Sequence, residues 1–310
     1  MNGAGPRVAL ATSRDVPDLT ADDRRLAAAL RRRGARAEAA VWDDAAVDWP
    51  RFDRVVIRSC WDYHLAPERF LAWVAAREAD GTSLWNPPAL LRGNVHKSYL
   101  ERLAADGAAV VPTRWLRRGA AAALADVLAA EGWSEAVVKP AVSASAFRTF
   151  VVGRGAARQR QRDLDALLAE RDVLVQPLVA EVVSGGEWSL VFLPDGFSHA
   201  VLKRPRAGDF RVQSEFGAST AAAPPPPALL RDAEAIVARL PAPWLYARVD
   251  GVESGGGLLL MELELIEPAL FFGECPAAAE RMARAILTRR PKPAPQGGLA
   301  PQRGLAPQRG

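Results

Sequence analysis

Short apolar runs alternate with longer amphipathic segments at the start of the chain. The apolar runs predict strands at 8–12, 37–42 and 54–59, and the amphipathic segments predict helices at 26–33 and 67–79. Strands and helices that alternate in this way are typical of a parallel sheet covered by helices. The pattern therefore predicts a Rossmann-like α/β domain, and Asn86-Pro87-Pro88 indicates that it ends near residue 90.

Beyond residue 90 the alternation becomes irregular, although apolar and amphipathic segments continue. Further strands are expected at 109–112, 136–140, 149–152, 173–177, 187–193, 197–203, 245–249 and 258–265. Further helices are expected at 97–105, 124–130, 228–240 and 277–289. The last residues, 291–310, contain a repeated Gly-Leu-Ala-Pro-Gln-Arg unit without large apolar side chains. Such a segment cannot bury enough apolar surface to offset the entropy of ordering, so we expect a disordered tail.

The composition is that of an ordinary globular protein and argues against several functional classes. Of 310 residues, 49% are hydrophobic and 25% are charged, and the formal net charge is only +4. The arginines are scattered, apart from Arg31, Arg32 and Arg33, and no aromatic motif accompanies them, which argues against nucleic-acid binding. Cys60 and Cys275 stand alone and predict neither a zinc site nor a disulfide framework.

Two further features concern the location of the protein. No charge-free apolar stretch reaches the roughly eighteen residues that a membrane span requires. The first residues lack the apolar segment of a secretion signal, because aspartates follow at once. We therefore expect a cytoplasmic protein without membrane contact.

Three acidic residues near the C-terminal end form the strongest chemical constellation. Glu262 and Glu264 are two apart on a predicted strand and so share one face of it. If Asp250 lies on the adjacent strand, three carboxylates converge, and they repel each other unless a cation such as Mg²⁺ neutralises them. A strand with a solvated acidic face is the alternative. The apolar residues that flank the glutamates indicate burial instead, and buried unpaired carboxylates are costly, which favours a metal site.

Basic residues at the ends of predicted strands are candidates for binding phosphate. Lys139 ends an apolar strand and precedes a turn of small residues that includes Ser143 and Ser145. Backbone N–H groups in such a turn can face phosphate oxygens. Lys203 ends another strand, and Arg211 belongs to the basic segment that follows it. Each lysine can equally extend from a strand end into solvent, so both interpretations stay open at this point.

Familiar catalytic and nucleotide motifs are missing from the sequence. The three histidines have no Ser or Cys partner at a recognisable spacing, and no GxSxG elbow is present. Neither a GxxxxGKS/T phosphate loop nor a GxGxxG fingerprint occurs. Gln176-Pro177-Leu178 follows a buried-type strand and can present backbone groups to an adenine edge, although a plain strand end is the simpler interpretation. If ATP binds, another scaffold holds it.

Taken in chain order, these pieces resemble the ATP-grasp superfamily, in particular the branch of bacterial glutathione synthetase. The resemblance covers nearly all of residues 7–290. The motifs that carry it are Val138-Lys139-Pro140, the small-residue loop after it, Gln176-Pro177, Gly208-Asp209-Phe210-Arg211 and Met261 to Pro268. Glu264 stands where glutathione synthetase usually has Asn. Arg58 to Tyr63 and Asn94 to Lys97 further resemble the subgroup that includes the ligase closing the ring of cycloserine, from which we carry over no substrate.

The resemblance implies an ATP-grasp fold with an N-terminal domain at 1–90, a central lid subdomain at 91–177 and a C-terminal subdomain at 178–290. It implies ATP and two Mg²⁺ ions, with Mn²⁺ as an alternative, and small-molecule carboxylate and amine substrates. Homodimers or homotetramers are usual in such a family. One departure is that Ser143, Ala144, Ser145 and Ala146 replace most of the glycine expected in the loop over the phosphates.

The resemblance also implies roles for individual residues. Metal ligands would be Asp250, Glu262 and Glu264. Nucleotide contacts would come from Lys97, Lys139, Ser143, Ser145, Gln176, Leu178 and Glu187, or Glu181 in place of Glu187. Catalytic roles would fall to Lys203, Arg211 and Arg248. The first substrate is expected near Arg58, Ser59, Trp61, Asp62 and Tyr63, although the two aromatic residues could instead pack a domain interface.

The implied function is ATP-dependent ligation of a carboxylate to an amine through an acyl-phosphate. The amine could belong to a second substrate or to the same molecule, which would then close into a ring. A catalytically silent nucleotide-binding protein on the same scaffold is the alternative from another functional class. A carboxylate kinase or ATPase that acts on a carrier protein or peptide is a third interpretation.

Overall fold

Three sheets follow one another along the chain in a computed structural model of the protein. The structure describes residues 5–206, 208–209, 211–212 and 216–289. The predicted disordered tail at 291–310 lies outside the described residues. In the part of the chain that is described, no helix is both long and apolar enough to cross a membrane.

The first sheet is parallel and has the order β2-β1-β3-β4, as the alternating pattern predicted. Its strands are β1 (Arg7–Thr12), β2 (Arg36–Val41), β3 (Arg54–Ser59) and β4 (Leu84–Trp85), with helices α1 (Ala21–Arg32) and α2 (Pro67–Ala79). We call it the N-terminal sheet. Helix α1 begins earlier than predicted because Thr20 caps it, its hydroxyl accepting the N–H of Asp23 at 3.0 Å.

The second sheet, which we call the middle sheet, is antiparallel with the order β5-β8-β6-β7. Its strands are β5 (Arg114–Leu116), β6 (Glu135–Pro140), β7 (Phe150–Gly153) and β8 (Val173–Pro177). The helices of this region are α3 (Pro88–Asn94), α4 (Tyr99–Ala105), α5 (Leu124–Ala130) and α6 (Gln161–Leu168). Leu128 of α5 and Leu164 of α6 share one buried core with the strands.

The third sheet, the C-terminal sheet, is antiparallel with the order β11-β10-β9-β12-β13. Its strands are β9 (Glu187–Leu193), β10 (Gly196–Arg204), β11 (Ser219–Ala222), β12 (Ala247–Ser254) and β13 (Gly257–Glu264). Helices α7 (Ala180–Ser184), α8 (Pro227–Val237) and α9 (Pro276–Thr288) complete the chain. Helix α9 returns to α1, where Met282 and Ile286 share the core of the N-terminal sheet and Arg32 pairs with Glu280 at 2.5 Å.

The predicted strand at 109–112 is wrong. This segment forms a single bridge, between Val110 and Leu260 of β13, and the strand of the region is β5 instead. An apolar run can pack against a sheet without joining it as a full strand. The expected boundary near residue 90 falls inside α3, and Tyr99 and Leu103 of α4 belong to the core of the C-terminal sheet. The division at 90 and 177 therefore stays a prediction.

The side chains of two buried asparagines bond the backbone at the end of β13, as a neighbouring strand would. Asn86 donates from Nδ2 to the carbonyls of Tyr246 and Leu265, at 2.9 and 2.8 Å, and its Oδ1 accepts the N–H of Leu245 at 2.7 Å. Asn94 bonds both the carbonyl of Leu263 and the N–H of Leu265, each at 2.8 Å. These bonds attach the end of β13 to both ends of α3 and hold it in place.

Replacing Asn86 by Ala leaves three buried backbone groups without partners. An unsatisfied buried group costs about 1–3 kcal/mol, so we expect the variant to lose about 3 kcal/mol or more of unfolding free energy. Urea unfolding followed by circular dichroism measures this loss. Ser184→Ala, which removes one exposed bond to Ala180, is the control and should change little. A loss below about 1 kcal/mol for Asn86→Ala would contradict the proposed role of the side chain.

Candidate active site

A cavity of about 580 Å³ lies between the middle and C-terminal sheets and reaches the N-terminal sheet. Lys139 of β6 and Gln176 of β8 line it from one side, and Asp250 of β12 and Glu262 of β13 line it from the other. Trp61, which follows β3, closes one end. A concave site of this volume suits a nucleotide together with a small substrate. We call it the main cavity.

Most of the residues singled out from the sequence line the main cavity. They are Trp61, Tyr63, Lys97, Lys139, Ser143, Ser145, Gln176, Leu178, Glu187, Lys203, Arg211, Arg248, Asp250, Glu262 and Glu264. They come from the middle and C-terminal sheets and from segments after β3 and α3, and they are spread over two hundred positions of the chain. The fold therefore collects into one cavity the side chains that the motifs pointed to, while their individual roles stay predictions.

The three acidic residues of the C-terminal sheet lie together because of strand register. Asp250 of β12 stands opposite Glu262 of β13, and Arg248 stands opposite Glu264. Arg248 donates to both carboxylate oxygens of Asp250, at 2.8 to 3.1 Å, and also binds Glu264. Lys97 binds Glu262 at 2.5 Å. The sequence interpretation that these carboxylates are unpaired is therefore wrong, because basic side chains alternate with them.

Burial and neighbouring charges set the protonation of this cluster. For Asp250, burial raises the pKa, but Arg248 and Lys203 more than offset it and bring it down to about 2. For Glu262, Lys97 and Lys139 outweigh burial and lower the pKa. For Glu264, burial raises the pKa well above the usual value despite Arg248, and the neighbouring carboxylates add to the shift. The cations of the cavity thus favour the ionised forms of Asp250 and Glu262, whereas burial favours the protonated form of Glu264.

The chemistry of this cluster tests whether a divalent cation fits. Among the described residues, no three His, Cys, Asp or Glu side chains already form a metal-ligating group, since Arg248 and Lys97 are paired with the carboxylates. The donor set is nevertheless carboxylate oxygen, which Mg²⁺ prefers. A bound cation would also lower the cost of the buried charge on Glu264. The residues present fit Mg²⁺ in donor chemistry and in charge.

Three lysines face the acidic side of the main cavity. The amine of Lys139 makes no hydrogen bond or ion pair with any described residue, and burial lowers its pKa. Lys97 also donates to the carbonyl of Ser143, at 3.1 Å. Lys203 of β10 binds Glu187 at 2.5 Å. A group of buried cations, one of them without a partner among the described residues, is suited to binding a polyanion.

The opposite end of the main cavity is apolar. Val111, Val179 and Val182 share a small core with Met261, and all four line the cavity. Gln176 lies near this end, buried, with its Nε2 donating to the hydroxyl of Thr113 at 2.8 Å. The cavity is therefore divided, with an apolar end and a densely charged end, as a flat base joined to a phosphate chain would require.

The loop after β6 covers the charged end in an unusual backbone conformation. Ser145, Ala146 and Arg148 have φ angles of +46°, +54° and +50°. This left-handed region favours glycine, so the small residues that replace glycine here occupy it at a conformational cost. Phe147 reaches the N-terminal domain, where its ring packs edge-on against His64 with centroids 4.8 Å apart. The loop thus connects the middle sheet to the region after β3.

Comparisons with known proteins agree with this geometry. A family model described as the D-cycloserine synthetase DcsG N-terminal domain matches residues 8–86. The cycloserine biosynthesis protein DcsG of Streptomyces lavendulae is 35% identical over 276 residues, which cover 84% of this chain and 91% of that protein. The chain belongs to the DcsG family of ATP-grasp ligases.

Solved structures place the DcsG-like chain in the same fold. A crystal structure of D-cycloserine synthetase DcsG matches with a TM-score of 0.82 and 32% identity, covering 91% of this chain and 98% of that one. D-alanine–D-alanine ligase from Bacillus anthracis, complexed with ATP, matches with a TM-score of 0.68 over 91% of this chain and 96% of that one. At 14% identity the second match shows the fold alone. The ATP-grasp fold and the resemblance inferred from the motifs are confirmed.

Arg58, one of the residues near which the first substrate is expected, does not line the main cavity of this DcsG-like protein. Its side chain is 2% exposed, pairs with Asp23 at 2.8 Å and donates to the carbonyl of Pro268 at 2.8 Å. Its guanidinium also lies over the aromatic ring of Tyr246, 5.3 Å from the ring centroid. Most of this guanidinium is therefore used to join β3, α1 and the segment after β13.

Three other predicted residues also lie outside the main cavity. The hydroxyl of Ser59 is buried and shares a hydrogen bond with that of Thr12 at 2.8 Å. Asp62 accepts the indole N–H of Trp42 at 2.7 Å, and Glu181 accepts the hydroxyl of Ser254 at 2.9 Å. These side chains have local structural partners, which the strand pattern could not show. Of the two glutamates considered for contact with the nucleotide, Glu187 and Glu181, only Glu187 lines the cavity.

Glu267 lines the main cavity, although the sequence analysis did not select it. It lies three residues beyond Glu264, after β13 has ended, so the two-residue periodicity that identified Glu262 and Glu264 does not extend to it. Its backbone carbonyl accepts the indole N–H of Trp61 at 3.1 Å. The available signal was the Glu-Pro pair in the motif. Other lining residues outside the predictions include Asn94, Thr149, Thr220, Ala269 and Phe271.

The raised pKa of Glu267 predicts how the stability of the protein depends on pH. Burial, together with Glu262, outweighs Lys97 and raises the pKa of Glu267 from 4.5 to about 8. Between these values the folded state holds a proton that the unfolded chain releases, so stability falls as the pH rises. From about pH 6 to about pH 9 we expect the wild type to lose roughly 2–3 kcal/mol relative to Glu267→Gln.

Urea unfolding in magnesium-free, nucleotide-free buffer at the two pH values measures this difference. Glu253→Gln, a change at an exposed position on the neighbouring strand β12, is the matched control and should follow the wild type. Parallel pH dependence in the wild type and Glu267→Gln would show that the Glu267 carboxyl titrates normally.

Proposed function

We propose that this protein is an ATP- and Mg²⁺-dependent carboxylate–amine ligase that activates a small-molecule carboxylate as an acyl-phosphate. One observation carries the proposal. Lys97, Lys139 and Lys203 meet Asp250 and Glu262 in a single cavity, in a chain of the DcsG family. Buried cations that face buried carboxylates are what a magnesium-bound triphosphate requires on its two sides.

The divided cavity supports one orientation of the nucleotide. The adenine would lie at the apolar end, between Leu178 and Met261, near Gln176. Glu187 would reach the ribose hydroxyls, and the triphosphate would extend to the lysines. Ser143 and Ser145 lie in the loop that would cover the phosphates. The ATP complex of the D-alanine–D-alanine ligase neighbour supports ATP as the nucleotide of this fold.

Asp250, Glu262 and Glu264 would hold Mg²⁺, for which two ions are our expectation. When bound, the metal supplies positive charge that offsets the charge developing on the phosphate oxygens. In the structure Arg248 and Lys97 pair with these carboxylates. If the metal took their place, both side chains would become available to bind phosphate or acyl-phosphate oxygens. The same cations would thereby serve the resting and the reacting site.

The reaction places few demands on proton transfer at its first step. The substrate carboxylate attacks the γ-phosphorus of ATP in line, the bond to ADP breaks, and an acyl-phosphate forms. Arg248 and Arg211 would orient the carboxylate, and Lys203 would stabilise the transferred phosphoryl group. The 143–149 loop would exclude water, which would otherwise hydrolyse the acyl-phosphate.

An amine then attacks the acyl carbon, an amide forms and inorganic phosphate leaves. The relationship to D-cycloserine synthetase supports an amine within the same molecule, so that the product is a ring. Ligation of two separate molecules uses the same first step. The acidic residues at all three metal positions argue against a silent nucleotide-binding protein. A homodimer or homotetramer and a cytoplasmic location stay predictions.

Phosphate release tests the proposal. Purified protein is supplied with ATP, Mg²⁺ and a panel of amino acids, amino-oxy acids and dipeptides. Release above background with one acid, and ADP in equal amount, is the expected result. Glu262→Gln should lower that release on the order of a hundredfold because a metal ligand is lost. Since Lys97 also loses its counter-charge, circular dichroism at the assay temperature shows that the variant is still folded.

Glu253→Gln makes the same chemical change at an exposed position of β12 and should keep full activity. Undiminished release by Glu262→Gln would refute the metal assignment. Nucleotide binding without release for any acid in the panel would favour the silent protein instead.

A further inference from the structure

The segment between β13 and α9 brings Phe271 to the boundary between the main cavity and a second, smaller cavity. The second cavity has a volume of about 270 Å³, and we call it the side cavity. Trp61, Thr220, Ala269 and Phe271 line both cavities. Residues that belong to both walls stand between the two cavities. Phe271 is one of the two large side chains among them, and it is half-buried.

The backbone of Phe271 has a conformation that residues with side chains rarely adopt. Its φ angle is +51°, in the left-handed region that favours glycine. A residue other than glycine keeps such a conformation only where the surrounding structure imposes it, and residues of this kind are concentrated at functional sites. A phenylalanine at this position therefore calls for a role of its ring.

Hydrogen bonds to three consecutive carbonyls impose this conformation. The carbonyl of Ala269 accepts from Nη1 of Arg248 on β12 at 3.0 Å. The carbonyl of Leu270 accepts from Nε2 of His199 on β10 at 2.9 Å. The carbonyl of Phe271 itself accepts two N–H groups of the turn that follows, at 3.0 and 3.1 Å. Two strands of the C-terminal sheet thus fix the position of the Phe271 ring.

The ring of Phe271 lies at the charged end of the main cavity. Cζ of Arg248 is 5.5 Å from the ring centroid, a distance at which a cation is attracted to an aromatic ring. In the proposed function Arg248 orients the carboxylate that receives the phosphoryl group, whereas the adenine lies at the apolar end near Met261. The ring is therefore a neighbour of the acid and not of the base.

We infer that Phe271 is a specificity-determining residue, whose ring limits the size of the acid that binds beside Arg248. The inference rests on the proposed function, because that function places an acid at this end of the cavity. Removing the ring opens space toward the side cavity, so the site would then accept acids with a bulkier carbon chain. The strained backbone keeps the ring at the boundary between the two cavities.

Graded substrates test the inference. The acid that gives phosphate release is compared with analogues in which a methyl, ethyl or phenyl group replaces one hydrogen of its carbon chain. For the wild type we expect kcat/KM to fall as this group grows. For Phe271→Ala we expect the ratio of kcat/KM for the bulkier analogues to that for the parent acid to rise about tenfold or more. The KM of ATP should stay unchanged.

A matched control removes the same ring elsewhere. Phe197→Ala changes a half-buried phenylalanine of β10 outside both cavities and should keep the wild-type ratio. Urea unfolding midpoints show whether each variant is folded. If Phe271→Ala does not fold, Phe271→Gly tests the same ratio with the same direction expected, because glycine adopts a φ of +51° without strain.

The outcomes separate this inference from the proposed function. An unchanged ratio in a folded variant without the ring would overturn the role of Phe271 in specificity and leave the ligase intact. An equal fall of kcat/KM for every acid would show that the ring only positions Arg248, and it would overturn the inference as well. Absence of phosphate release by the wild type with every acid would contradict the proposed function, and the inference would fall with it.

Discussion

The pairing of Arg248 with Asp250 and Glu264 is the interaction on which the rest of the site depends. It joins two adjacent strands through buried charges, and without it two carboxylates would face each other in a low-dielectric environment. Breaking such a pair by removing one partner is far more costly than its net contribution to stability. The pair therefore constrains which residues can occupy the centre of the C-terminal sheet.

The same constraint extends across the main cavity. Lys97, in the segment before α4, pairs with Glu262. Lys203 of β10 pairs with Glu187 of the adjacent strand β9. Lys97, Lys203 and Arg248 thus each have a buried counter-charge, whereas Lys139 of the middle sheet has no ion-pair partner among the described residues. A nucleotide with its metal brings both signs of charge, and it can enter by exchanging partners without adding a large net charge.

Much of the fold could be predicted from local patterns. The parallel N-terminal sheet follows from alternating strands and helices, and the order of β12 and β13 follows from two apolar strands joined by glycines. The segment at 109–112 was misassigned because its apolar run packs beside β13 with a single bridge. Burial alone does not distinguish that arrangement from a full strand. Helix α1 was predicted too short because its first turn is polar and depends on the Thr20 cap.

The sequence by itself determined the fold class, the family and the identity of the acidic strand, because these depend on periodicity and motif order along the chain. Tertiary structure alone decided which charged groups are paired. Arg58 was expected to be free for substrate, yet it binds Asp23, thirty-five positions away. In the sequence Asn86 indicated only a domain boundary, yet its side chain binds the backbone just after β13. Contacts between residues so far apart in the chain leave no local pattern, since they arise only when separate elements pack together.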